Sequence, residues 1–176
     1  GCLLKNFIKQ GIPCYGIEPT DSTASVAESF GITVLRKFFS RNLALRLIEE
    51  NKQADLIIGN NIYGHVPNIN DFTAGLKSLL RSNGTITLEF PHLLKLIQEN
   101  QFDTIYHEHF SYLSLQTAKR IFESTGLGIW DVEQLSTHGG SLRVYGCHID
   151  ESRRVSSSVN EILSQEEQYG LKQLST

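Results

Sequence analysis

Residues 54–90 read ADLIIGNNIYGHVPNINDFTAGLKSLLRSNGTITLEF. The stretch opens on a short apolar run, ADLIIG at 54–59, and passes through a turn-rich segment. It then takes helical spacing over 69–81 and returns to a second apolar run, GTITLEF at 84–90. Apolar runs of strand length alternating with segments of helical period are the pattern of a parallel sheet covered by helices on both faces.

The rhythm extends in both directions. Strands are predicted at 12–17 (IPCYGI) and 32–36 (ITVLR), with helices near 2–10, 21–30 and 41–52. Asp21, Ser40 and Asn70 are the expected N-caps, and Gly11, Gly31 and Gly84 follow helices where a left-handed residue would end them. Beyond Pro91 come a short helix at 92–100, a loop, and a helix at 115–125 ended by Gly126. LGIWDVEQL (127–135) and GSLRVYGCHI (140–149) should then pair antiparallel and close the sheet. From Glu151 the composition shifts to Ser, Glu and Gln with scattered aliphatics, the mark of a solvated helix. The expected organisation is a core at 1–150 and, at 151–176, the first helix of another domain.

Composition narrows the function. At 176 residues and 40% hydrophobic content the chain suits one sizeable globular domain. A net charge of −3 offers no basic face for nucleic acid or anionic membrane, so neither is an expected partner. Cys2, Cys14 and Cys147 have neither the number nor the spacing of a disulfide framework or a zinc site, and read as buried thiols in a reducing cytoplasm. No signal peptide or membrane-span pattern is present. The chain contains no methionine, even at its start, and is expected to be a piece of a longer protein.

Ligands bind open α/β sheets at the carboxyl ends of the strands, so the residues after each strand carry the chemistry. Glu18, after the first strand, suits the two hydroxyls of a ribose, or else caps the next helix. Asn60 and Asn61 present donors and acceptors where Gly59 allows close approach, although Asn and Gly also simply make turns. His65, alone in its loop, reads as structural. Glu89 and His92 end the fourth strand, and FDTIYHEHFSYLS (102–114) overhangs the same edge with Tyr106, His107, Glu108 and His109. Repeated imidazoles beside a binding cleft point to catalysis. An HxH metal pair is the alternative, but it lacks an HExxH helix and a third ligand. Downstream, His138, Gly139 and Arg143 form part of HGGSLR, either a substrate anchor or a glycine-rich hairpin turn whose arginine pairs with a surface acid. Trp130 and the Phe38–Phe39 pair read as core.

Taken together, YHEHFSYLSL, HGGSLRVYG, GIEP and NNIYGHVPN resemble the C-methyltransferases that act on nucleotide-linked keto-sugars, over residues 1–150. The resemblance implies a Rossmann-like class I methyltransferase fold, mostly parallel with an antiparallel C-terminal hairpin, using S-adenosylmethionine. By position, Glu18 would hold the cofactor ribose, Lys37 and Phe38 would border the adenine, and Asn60 and Asn61 the methionine moiety. Tyr106, Glu108 and His109 match the catalytic YxEH residues, with His109 as base. His107, His138, Gly139 and Arg143 are the expected substrate contacts. The family's first core strand and most of its cofactor loop should precede Leu3, leaving Gly1 as the loop's last glycine. Its zinc would belong to an absent N-terminal domain, so the 176 residues are expected to bind S-adenosylmethionine weakly.

In such an enzyme a base removes the proton alpha to a ketone and the enolate takes the methyl group. Histidine suits the first step because its pKa lies near working pH. On an extended loop His107 and His109 would share one face and Glu108 the other, so Glu108 and His109 can act together only if the chain turns. A noncatalytic nucleotide-binding or assembly module and a metal-dependent hydrolase are the competing functions.

Overall fold

The structure, a computed structural model, describes residues 3–173. Gly1 and Cys2, among the residues considered above, lie outside that range. The chain divides into two compact units, one ending at Ser40 and the other beginning at Arg41, where composition had suggested one.

The first unit runs α1 (Leu4–Lys9), β1 (Tyr15–Ile17), α2 (Asp21–Glu28) and β2 (Thr33–Leu35), and β1 pairs parallel with β2. Both strands are shorter than predicted. Pro13 has no N–H to give to a ladder, and pairing begins at Tyr15↔Thr33. Gly11 and Gly31 take positive φ after their helices as expected, at 68° and 80°. Thr20, one residue before the predicted Asp21, is the N-cap of α2, which leaves Asp21 inside the first turn. Arg36 ties the unit's far edge together by reaching Asp21 and Glu28 at 2.8 and 2.7 Å.

The second unit continues with α3 (Arg41–Glu49), β3 (Ala54–Asn60), α4 (Ile69–Leu79), β4 (Leu80–Pro91), α5 (Leu93–Gln98), α6 (Leu115–Ser124), β5 (Leu127–Leu135), β6 (Ser141–His148) and α7 (Ser157–Gln168). Its four-stranded sheet has the order β3-β4-β6-β5. β3 and β4 are parallel, while β6 returns antiparallel between β4 and β5, so the predicted hairpin adds its second strand inside the sheet. With a neighbour on each side, β4 is covered on both faces toward its carboxyl end, where Leu88, Glu89 and Phe90 are all buried.

Two local expectations change. Asn68 caps α4, accepting from the Asp71 N–H, because the helix begins at Ile69 and Asn70 already lies within it. Gly84 ends no helix: α4 stops at Leu79, Asn83 takes the left-handed φ of 62°, and Gly84 lies within β4. A Cβ on Gly84 would meet the Arg81 carbonyl at 2.8 Å.

An aromatic cluster fixes the centre of this unit. Tyr63 is fully buried, with its ring centroid 5.9–6.2 Å from those of Phe90, Phe72 and Phe122. Thr73 donates its one hydroxyl proton to the Ile69 carbonyl, so the Tyr63 hydroxyl donates to Thr73 Oγ1 at 2.8 Å. Burial pushes this phenol's pKa well above its ordinary value, and it acts as an anchor. Phe38 is not core, being 82% exposed, and Trp130 is half-buried. Of the thiols, Cys147 is buried and its pKa raised by that burial, while Cys14 is half-buried. Helix α7, expected to be solvated, buries Val159, Ile162 and Glu166 along one face.

Candidate active site

The chain turns where catalysis would need it to. The His109 N–H donates to the Tyr106 carbonyl at 3.0 Å, closing a four-residue turn that an extended loop would not have. The His109 ring lies under Tyr106, centroids 4.1 Å apart and tilted by 33°, and edge-on to Tyr112 and His65 at 5.7 and 4.7 Å.

Two backbone carbonyls orient the imidazoles. His109 Nδ1 lies 2.9 Å from the Thr104 carbonyl, and His65 Nδ1 lies 3.0 Å from the Glu108 carbonyl. A carbonyl oxygen only accepts, so both rings carry their proton on Nδ1 and, when neutral, present a bare Nε2 lone pair. The group that sets the His109 tautomer is thus the Thr104 main chain. Glu108 contributes its carbonyl to His65, and its carboxylate and His107 are exposed at the tip of the turn.

His65, read from sequence as structural, belongs to this cluster. The signal was its place in NNIYGHVPN; the contact with His109 is visible only in space. Its loop is fastened to the base of the cluster by Tyr63 and by the Ser111 N–H, which donates to the Gly64 carbonyl at 3.1 Å. A Cβ on Gly64 would come within 3.0 Å of the Ser111 carbonyl, so the two loops meet backbone to backbone.

Asn60 ends β3 and is exposed. Asn61 follows with φ 48° and donates its N–H to the Glu89 carbonyl at 2.9 Å, joining the carboxyl ends of β3 and β4. Glu89, 4% exposed, accepts from the Thr137 hydroxyl at 3.2 Å. The cavity lined by Asn61, His65, Thr104, His109, Tyr112 and Leu113 measures about 10 Å³, room for at most one water. A wider depression of about 520 Å³ lies at the opposite, amino-terminal edge of β3 and β4 and holds none of the candidate residues.

The glycine-rich turn is built for packing. His138, Gly139 and Gly140 have φ of 51°, 71° and 111°. A Cβ on Gly139 would fall 2.5 Å from the Gln101 side chain, and one on Gly140 would fall 3.0 Å from Lys95. His138 is exposed, and Arg143 reaches Glu133 at 3.3 Å on the neighbouring strand. Among the described residues no three His, Cys, Asp or Glu side chains are grouped to hold a metal ion, and no helix is long and apolar enough to cross a membrane.

In the first unit, Glu18 accepts from the Thr20 N–H at 2.9 Å through one oxygen, so it does cap the entry to α2, while its second oxygen has no such bond among the described residues. Lys37 and Phe38, which follow β2, are exposed.

Comparison with known proteins agrees with this architecture. Residues 1–132 match a methyltransferase domain, and residues 136–176 match a C-methyltransferase C-terminal domain. The C-methyltransferase NovU of Streptomyces niveus is 33% identical over 97% of this chain, and the chain spans 41% of that protein's length. The putative methyltransferase in a complex with the Haloferax volcanii Trm112 activator has a TM-score of 0.66 at 11% identity, covering 84% of this chain and 78% of its own. Magnesium protoporphyrin IX methyltransferase from Synechocystis, solved with bound S-adenosylmethionine, has a TM-score of 0.61 at 15% identity, covering 84% and 65%. A match over three quarters of the sequence and a shared fold lead to one conclusion: the chain belongs to the methyltransferase domain family and has the class I fold.

Proposed function

We propose that the protein carrying this chain is an S-adenosylmethionine-dependent C-methyltransferase that methylates the carbon alpha to a ketone in a nucleotide-linked deoxysugar. The observation that carries the reading is the tautomer of His109: Nδ1 is held on the Thr104 carbonyl, and Nε2 is left as a base on a ring stacked against Tyr106. The likeness to a C-methyltransferase over nearly the whole chain supports carbon as the acceptor.

The residues present fit the cofactor. In the first unit Glu18 keeps a carboxylate oxygen for a ribose hydroxyl, and the bare Phe38 ring and Lys37 suit an adenine. In the second unit Asn60 and Asn61 end β3 with their amides able to meet the amino-acid moiety. When bound, S-adenosylmethionine supplies an electrophilic methyl group on a sulfonium.

His109 Nε2 takes the proton from the alpha carbon, and the C–H electron pair becomes an enolate, which would accept the methyl group as the methyl–sulfur bond breaks and its electron pair returns to sulfur, leaving a neutral thioether. The Thr104 carbonyl keeps the resulting imidazolium in register through Nδ1–H. Tyr106 donates to the oxygen on which charge develops, and a hydrogen bond aimed there contributes about 3–4 kcal/mol to such a step. His65, with its own bare Nε2, accepts a substrate hydroxyl or relays the proton to water. Glu108 and His107 at the turn tip, with His138, Gly139 and Arg143, contact the sugar nucleotide. In this reading residues 1–150 are the methyltransferase core and 151–176 open a C-terminal domain whose first helix docks on α6 and β5.

The full-length protein, given a nucleotide-linked keto-deoxysugar in deuterated water, should wash the alpha proton into solvent and form a C-methyl product. His109→Ala should stop both while leaving acceptor binding measurable. Methylation confined to oxygen or nitrogen would overturn the assignment.

A further inference from the structure

Helix α7 sends one side chain beneath the loop that carries the imidazoles. Glu166, with 0% of its surface exposed, accepts from the Leu115 N–H at 2.5 Å and the Gln116 N–H at 3.0 Å. Those are the first two donors of α6, and Ser114 Oγ accepts the third, from Thr117, at 3.1 Å. A carboxylate here meets the donors that a helix start leaves unpaired and the positive end of its dipole. Glu166 Oε1 also lies 2.8 Å from His92 Nε2, and a carboxylate oxygen accepts, so His92 carries its proton on Nε2.

His92, 1% exposed, joins three segments. Its ring holds α7, its N–H donates to the Gly140 carbonyl at 3.0 Å, and the next N–H, of Leu93, donates to the Leu113 carbonyl at 3.0 Å. Its Nδ1 has no partner among the described residues. An unpaired buried acceptor is destabilising, which an apolar ring would avoid, so the reason for a histidine here lies at Nε2.

The His/Glu/His loop ends at Leu113, directly before the helix start that Glu166 caps. Upstream of Leu113, the Tyr112 hydroxyl donates at 3.4 Å to the same Thr104 carbonyl that sets the His109 tautomer. We propose that Glu166, acting through the α6 N-terminus and His92, is the positioning residue that holds the Thr104–Leu113 loop closed and so keeps the His109 lone pair on Nε2. The proposal rests on His109 being the base; Glu166 itself touches no reacting atom.

Glu166→Gln keeps the shape but sets an amide against N–H donors, and His92→Leu removes the Nε2–H. His92→Gln restores a donor of similar reach. Long-range nitrogen–proton NMR correlations of the His109 ring should show the Nδ1–H form in the parent and in His92→Gln, and a mixture of tautomers in Glu166→Gln and His92→Leu. In the methyl-transfer assay those two variants should lose about 10–100-fold in kcat with KM little changed, the scale of a small misplacement of a reacting group. Glu161→Gln, on the exposed side of α7, should match the parent in both readings.

An unchanged His109 tautomer in Glu166→Gln and His92→Leu would overturn the proposal. So would equal behaviour of His92→Gln and His92→Leu, or a loss of near-ultraviolet circular dichroism in both Glu166→Gln and His92→Leu, which would make the pair a support of the whole core. A tautomer change in a protein whose parent transfers no methyl group would sink the functional reading and leave the positioning intact.

Discussion

At the scale of single residues, the groups that organise the imidazole cluster are backbone carbonyls and one buried phenol. Tyr63→Phe removes only the bond to Thr73 and should cost about 1 kcal/mol. Tyr63→Ala opens the aromatic cluster and should cost about 3–5 kcal/mol. Chemical denaturation of the two variants separates the anchor's hydrogen bond from its bulk. Asp131 supplies a pH dependence. Its carboxyl is held below the ordinary value of 3.8 by hydrogen bonds from the Ser156 and Ser158 hydroxyls and the Val132 N–H, against a smaller opposing effect of burial. A depressed native pKa means the unfolded chain binds this proton first as acid is added. Its stabilisation is therefore complete above the unfolded value and disappears as pH falls through the native one. Urea titrations stepped downward in pH should show a shallower acid loss for Asp131→Asn than for the parent. At this scale the sequence showed the residue types in YHEH and NNIYGHVPN, but not the carbonyl each ring would meet. The Thr104 oxygen is a main-chain atom with no letter of its own, and the pairing of His92 with Glu166 spans residues that share no local pattern.

At the scale of elements, alternation of period was enough to locate the strands and the helices α1 to α6 within a few positions, whereas α7, read from composition as a solvated helix from Glu151, begins only at Ser157 and ends at Gln168. The misses were at ends, where a side chain or a bulge decides. Asn68 and Asn70 are chemically identical candidates two residues apart, and only the accepted bond from Asp71 separates them. Asn68→Ala should destabilise α4 by about 1 kcal/mol, read by thermal or urea unfolding, whereas Asn70→Ala should change little. β4 began four residues before its predicted start because Leu80 pairs with Ala54 across an irregularity in the ladder, which no periodicity announces. The HGG turn was legible as a turn but not for its packing. Gly139→Ala should cost more than the about 1–2 kcal/mol of a left-handed backbone, because the Gln101 amide must swing away from the new Cβ and give up its hydrogen bond to the Gly139 carbonyl. Gly31→Ala, also left-handed at 80° but with open space around it, should cost only that backbone amount. Differential scanning calorimetry of the pair tests the distinction.

At the scale of the molecule, β4 and β6 form the best-protected part of the second unit, each with a neighbour on both sides. Cys147 lies on β6, buried and with its thiol pKa raised, so it should resist thiol reagents until the sheet opens. In a variant with Cys2 and Cys14 replaced by serine, pulsed labelling of Cys147 should follow the same denaturant dependence as loss of the sheet's circular dichroism. Labelling well before that transition would show β6 opening on its own. The hairpin's existence could be read from 127–149, but its insertion beside β4 could not, since hydrophobic alternation says which face a strand buries and nothing about which strand lies next to it. That insertion has a consequence for the chain as it is made. When the ribosome has delivered residues up to Leu135, the imidazole loop exists but β4 still lacks its second partner, and Glu166 has not yet been synthesised. At about 5–20 residues per second the edge that carries the imidazoles waits a few seconds for the segments that complete it. Through that interval the nascent chain offers an open strand edge that a chaperone has reason to shield.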